Sequence, residues 1–163
     1  MKIILIILLG MISTSIYSEE LPFVYYPFHP ARGIICDQGA ESPEGNSHTY
    51  SNTLYALDVA TPKGADPAGI YASIDGKIIS YNNCIEHNTN CGSGFGNYVQ
   101  ILASNGILVM YAHLEKVFVK TGELVKKGQI IGVEGDTGLT GKNNRHLHFS
   151  VQIGRASCRV RGG

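Results

Sequence analysis

From Tyr55 to Gln152 the apolar side chains alternate with polar ones or fall in short runs cut by glycine. Nowhere in that stretch do they recur at the 3.6-residue helical period over ten residues. Such a chain builds sheets, so an all-β domain is expected, and helical bundles and α/β folds are excluded. Leu147, Phe149 and Val151 of RHLHFSVQ face one side of a strand, while His146, His148, Ser150 and Gln152 face the other. In YALDVA, Asp58 shares a face with Ala56 and Ala60, opposite Tyr55, Leu57 and Val59. NYVQILASNGILVMYAHL reads as a hairpin turning at Ser104-Asn105-Gly106, and IYASIDGKIISY as a strand pair turning at Asp75-Gly76. Gly122, Gly128 and Gly132 interrupt the next valine- and isoleucine-rich stretch at corner-like spacing.

The two ends depart from this pattern. Lys2, the apolar run Ile3 to Ile12 and the small residues that follow resemble a signal peptide, expected to span 1–18. Residues 19–46, rich in Pro, Gly and Ser among aromatics, read as an irregular arm, and the domain proper as 47–152. The segment Ile153 to Arg159 resembles the translation of a common sequencing adapter, so 153–163 is expected to be a non-native tail. The whole chain has thirteen basic and thirteen acidic residues; without Lys2 and the tail arginines it carries nine and thirteen, a net −4. That balance excludes electrostatic binding of nucleic acid. An exported protein meets an oxidising compartment, where Cys84 and Cys91 of CIEHNTNC would close a short disulfide loop, leaving Cys36 over. The competing reading is a metal knuckle of Cys84, His87 and Cys91.

Chemistry concentrates in a few side chains. Strand rise separates His146 and His148 by about 6.5–7 Å on one face, so one ring can hold a metal while the other reaches a bound water. Asp58 lies in an otherwise apolar strand, where an unpaired carboxylate costs several kcal/mol or shifts its pKa strongly. His113 ends the strand VMYAHL, and His48 lies ten residues before Asp58. Histidine nitrogens with one carboxylate suit Zn²⁺, and three protein ligands with an open fourth position mark a catalytic site. Asn97 and Tyr111 lie where they line a groove or simply turn and pack. His29 and His87 read as loop residues without a ligand role.

Taken in order, SH…YALDVATPKG, GNYVQI…NGILVMYAHL, VKTGELVKKGQIIGVEGDTG and HLHFSV resemble the lysostaphin/LytM-type zinc metalloendopeptidases, which cut peptide cross-links of bacterial cell walls. The resemblance implies a glycine-cornered antiparallel sheet structure, the duplicated hybrid motif or barrel-sandwich hybrid, with a cleft across the sheet. It implies one zinc per chain held by His48, Asp58 and His148, with His113 and His146 as catalytic histidines. In place of the more usual histidine four residues before the aspartate, position 54 is leucine, so His48 represents a longer variant. It implies a monomer, secreted or in the cell envelope, with no membrane span after export and peptidoglycan as substrate. Pentaglycine bridges, D-alanyl–diaminopimelate links and glycyl bonds of other proteins all fit as targets. Gly-rich loops at 92–96 and 135–141 would frame the groove. The alternatives are a non-catalytic LytM-like activator of another wall hydrolase, a lipoyl- or biotinyl-type carrier, and a lectin-like wall-binding module.

Overall fold

A computed structural model describes residues 24–39, 48, 53 and 55–153. The expected signal peptide and most of the 153–163 tail lie outside the described residues. Among the described residues the fold is antiparallel β throughout, with one 3₁₀ turn at Cys91–Gly94 and no helix long and apolar enough to cross a membrane.

Among the described residues ten strands form two sheets. They are β1 (Ile35–Gln38), β2 (Leu57–Ala60), β3 (Gly69–Tyr71), β4 (Gly76–Tyr81), β5 (Asn97–Leu102), β6 (Ile107–Leu114), β7 (Lys116–Val117), β8 (Leu124–Val125), β9 (Ile130–Val133) and β10 (Leu147–Ile153). The large sheet runs β1-β2-β10-β6-β5-β4-β8, and the small one β3-β9-β7. Alternation along the strands explains how they pack. Ile78, Val99, Ile101, Val109, Tyr111 and Leu147 project from one face of the large sheet, are fully buried, and join Ile70 and Ile131 of the small sheet in one core. Burying each aliphatic side chain of this size contributes about 1.5–3 kcal/mol.

The hairpin expected across Ser104-Asn105-Gly106 is β5–β6, paired antiparallel. The hairpin expected at Asp75-Gly76 does not form, because β3 pairs with β9 and β4 with β5 and β8, so this turn carries the chain from one sheet to the other. Asp75 is held there from outside its own turn. Its carboxylate accepts the Lys127 N–H at 2.7 Å and the Lys126 ammonium at 2.8 Å. Those bonds hold its carboxyl below the usual range, with the Lys126 bond the strongest influence. Gly122 and Gly128 sit in turns with φ of +96° and +82°, whereas Gly132 lies inside β9, where a Cβ would come within 2.6 Å of the Lys116 carbonyl. Within the stretch read as an irregular arm, Ile35–Gln38 adds β1 to the sheet edge beside β2, and Phe28 reaches the core. Short apolar content hid that strand, whose first three residues are exposed.

What matters most for the site is the position of β10. Lying between β2 and β6, it sets His148 directly opposite Asp58 on one side and opposite Ala112, the neighbour of His113, on the other.

Candidate metal centre

Asp58 is the hub. Its Oδ1 lies 2.9 Å from Nδ1 of His148 and 3.3 Å from Nε2 of His48, and its Oδ2 lies 3.9 Å from Nε2 of His146. All four residues are buried. Burial alone raises the Asp58 pKa and is the largest single influence on it. The hydrogen bond from His148 and the charges of His146, His148 and His48 together outweigh it, so the carboxyl is held below its ordinary value and stays anionic.

Residues 48, 58 and 148 offer donor atoms that all lie within 4.8 Å of one another, close enough to share a metal ion. Donors about 2.0–2.2 Å from one tetrahedral ion stand roughly 3.3–3.6 Å apart, which matches the 3.3 Å between Asp58 Oδ1 and His48 Nε2. The hydrogen bonds point the same way. His48 donates Nδ1–H to the Gly39 carbonyl at 3.1 Å, so Nε2 keeps its lone pair, buried, without a hydrogen-bond partner and aimed at a carboxylate. Two lone pairs facing each other repel unless a cation lies between them. Two neutral nitrogens and one anionic oxygen form a donor set that suits a borderline divalent ion such as zinc.

The other two histidines complete the wall. His113 donates Nδ1–H to the Thr137 carbonyl at 2.9 Å, and its backbone N–H to the Phe95 carbonyl at 2.9 Å. The His146 Nδ1–H goes to the Asn144 carbonyl at 2.8 Å. Both rings therefore expose Nε2, and their centroids are 4.8 Å apart. Burial pushes the His113 pKa down to about 3, aided by the neighbouring His146 and opposed by the bond to Thr137. The ring is neutral at physiological pH, with Nε2 an acceptor. His113 also holds a φ of +62°, unusual for a residue with a Cβ and common where backbone strain serves a site.

The five expected residues thus come together, in a cleft of about 640 Å³. Ser93, Gly94 and Phe95 line it together with Leu139, Thr140 and Gly141, residues of the two glycine-rich loops expected from the sequence. The loops touch through backbone: a Cβ on Gly138 (φ +87°) would lie 2.3 Å from the Gly96 nitrogen. Cys84 and Cys91 are disulfide-bonded, which excludes the knuckle, and the bridge braces this junction. Cys36 is a free, exposed thiol.

Asn97 and Tyr111 do not line the cleft. The Asn97 side chain accepts the Cys84 N–H and donates to the carbonyls of Cys84 and Leu114, tying the disulfide loop to the sheet. Tyr111 lies in the core and accepts the Ser73 N–H at 2.8 Å. His29 is exposed and His87 bridges to Gly138, so neither joins the cluster. Sequence reasoning passed over Glu134, a carboxylate directly after the apolar run of β9 and wholly buried. The criterion that singled out Asp58 applies equally to it. It also passed over Asp37 and Gln38 of β1, which wall the cleft beside Asp58.

The chain is similar to proteins that are already known. The chain is 41% identical over 97 residues to the peptidoglycan DD-endopeptidase ShyB of Vibrio cholerae serotype O1, covering 59% of this chain and 20% of ShyB. It is 28% identical over 123 residues to the murein hydrolase activator NlpD of Escherichia coli K12, covering 76% of this chain and 27% of NlpD. The chain therefore spans about a fifth to a quarter of these relatives' length. A crystal structure of a zinc-containing peptidase from Vibrio cholerae superposes with a TM-score of 0.55 at 34% identity, over 82% of this chain and 37% of that one. The sequence pattern of peptidase family M23 matches residues 52–159, a span that holds Asp58 and all three cleft histidines after it. With that match covering well over half its length, the chain belongs to peptidase family M23, the lysostaphin/LytM-type metallopeptidases.

Proposed function

We propose that the protein is an exported zinc metalloendopeptidase of the cell envelope that hydrolyses peptide cross-links of peptidoglycan, with one zinc per chain. His48, Asp58 and His148 are its metal ligands, and His113 and His146 its catalytic histidines. The observation that carries this reading is the buried carboxylate of Asp58 ringed by three imidazoles at 2.9, 3.3 and 3.9 Å. A fourth imidazole, His113, faces the same cleft.

A bound zinc ion supplies Lewis acidity, polarising the scissile carbonyl and bringing the pKa of a coordinated water toward ~7. The protein's own groups do the rest. His113, with Nδ1–H fixed on the Thr137 carbonyl, presents Nε2 to accept a proton from the attacking water and return it to the departing amine. His146, with Nε2 turned to the same space, is suited to stabilise the oxyanion by a hydrogen bond. The loops at 93–95 and 139–141 narrow the approach and favour an unbranched or glycine-like peptide. Kinship with ShyB supports peptidoglycan as substrate and the envelope as location.

The test is digestion of purified peptidoglycan, with products read by mass spectrometry and metal content by elemental analysis. Wild type is expected to cleave and to lose activity with a chelator. Asp58→Ala should lose zinc, whereas His113→Ala and His146→Ala should keep zinc and lose activity. Full metal and full activity in Asp58→Ala would refute the ligand assignment. Similarity to NlpD supports a second reading, a non-cleaving activator. It would leave purified peptidoglycan intact and act only when a partner hydrolase is added.

A further inference from the structure

We infer that buried Glu134 and half-buried Arg145 form a clamp that positions the His146 imidazole against Asp58, which makes both of them positioning residues for the reaction. The inference rests on the reading of His146 as a catalytic histidine.

Glu134 directly follows β9 and is wholly buried. A carboxylate there is costly unless its oxygens are fully engaged, and they are. Oε1 accepts the Thr61 N–H at 2.8 Å. Oε2 accepts the Thr61 hydroxyl at 2.7 Å and the Ala68 N–H at 3.2 Å, and stands 3.4 Å from Arg145 Nε. The Arg145 guanidinium continues to the Thr61 Oγ at 2.9 Å and the Ala65 carbonyl at 2.6 Å. The Thr61 hydroxyl thus donates to the carboxylate and accepts from the guanidinium, fixing both in one arrangement.

The chain positions give the network its consequence. Arg145 immediately precedes His146, and Glu134 immediately precedes Gly135. Gly135 and His146 form a backbone bridge, with the His146 N–H on the Gly135 carbonyl at 3.1 Å. Thr61 follows Asp58 by three residues, just past the end of β2. The same buried anion therefore references both partners of the 3.9 Å His146–Asp58 contact. Residues 141–144, which lead into His146 and supply the Asn144 carbonyl that orients its ring, are exposed. Without the clamp, that loop alone would hold the imidazole. An apolar pair of similar volume would fill the space at less cost, so the use of ions here matches a demand for orientation rather than for stability.

Arg145 also lines a second cavity, beside Asp37, Lys63 and Asp136. The rival role is direct contact with substrate, and kinetics separate the two. Wild type, Arg145→Ala, Arg145→Lys and Glu134→Gln are compared for kcat and KM on a soluble cross-linked muropeptide, with zinc content and Tm measured in parallel. A misplacement near 1 Å costs about 10²-fold. Arg145→Ala is expected to lower kcat roughly 10- to 100-fold with KM and zinc content unchanged. Arg145→Lys should recover part of the loss, and it carries the test should the alanine variant not fold. A second readout needs no activity. In ¹H–¹⁵N imidazole spectra of the zinc-free protein, the slowly exchanging His146 Nδ1–H should be lost in Arg145→Ala, while that of His113, held by Thr137, persists. Unchanged kcat with an unchanged His146 signal would overturn the clamp, as would a raised KM at constant kcat. If wild type cleaves nothing while the His146 signal still responds, the clamp stands and the peptidase reading falls.

Discussion

Replacing Tyr111 with phenylalanine should leave catalysis intact and change how stability depends on pH. Tyr111 is two residues from His113, close enough along the strand to be mistaken for a cleft residue, yet its hydroxyl accepts the Ser73 N–H on the core side. Burial raises the phenol pKa from 10.0 to about 12, against a small opposing effect of the Ser73 bond. Because the folded pKa lies above the unfolded one, the native state holds a proton that the unfolded chain gives up. The stabilisation is complete below pH 10 and drains away as pH climbs toward 12. At about 1.4 kcal/mol per pKa unit, wild type should lose on the order of 1 kcal/mol by pH 11 from this group and about twice that beyond pH 12. Tyr111→Phe has no such term. It should be less stable by about 1–3 kcal/mol at pH 7, where the buried Ser73 N–H loses its acceptor, and the gap should close as pH rises past 10. Urea unfolding of both proteins at pH 7, 9, 10 and 11 measures the difference. A Cys36→Ser background keeps alkaline thiol–disulfide exchange out of the result. A gap that stays constant across that range would refute the burial argument. A raised KM for Tyr111→Phe would refute its placement in the core.

Other expectations follow from the same geometry. Converting Cys84 and Cys91 to serine opens a loop with a sequence separation of 7 and should cost about 2–3 kcal/mol in chemical denaturation. Because the loop braces the junction beside His113, kcat should also fall at temperatures where the protein remains folded. Asn97→Ala removes three buried side-chain hydrogen bonds at Cys84 and Leu114 and should lower stability by about 2–4 kcal/mol without changing zinc content. Gly138→Ala drives a methyl into the Gly96 backbone and should displace the cleft loops, read as a loss of activity exceeding the loss of Tm.

The sequence disclosed donors more readily than their orientation. Alternation placed His148 and Leu147 on opposite faces because a strand leaves no other choice, and Asp58 was conspicuous because its neighbours were apolar. His48 was harder, since no strand period links residue 48 to residue 58; only the resemblance joined them. The Asp75-Gly76 error has a related cause. A turn dipeptide shows that the chain reverses, but the partner strand is chosen by distant residues, here Leu102 beside Lys77 and Val133 beside Gly69. The deepest gap concerns backbone carbonyls. Those of Gly39, Thr137 and Asn144 decide which nitrogen of His48, His113 and His146 faces the cleft. Every residue has such a carbonyl, so no side-chain pattern marks the three that matter. A sequence can therefore name the imidazoles of such a site while remaining silent on which nitrogen does the chemistry, and that choice is made by how the loops between the strands close.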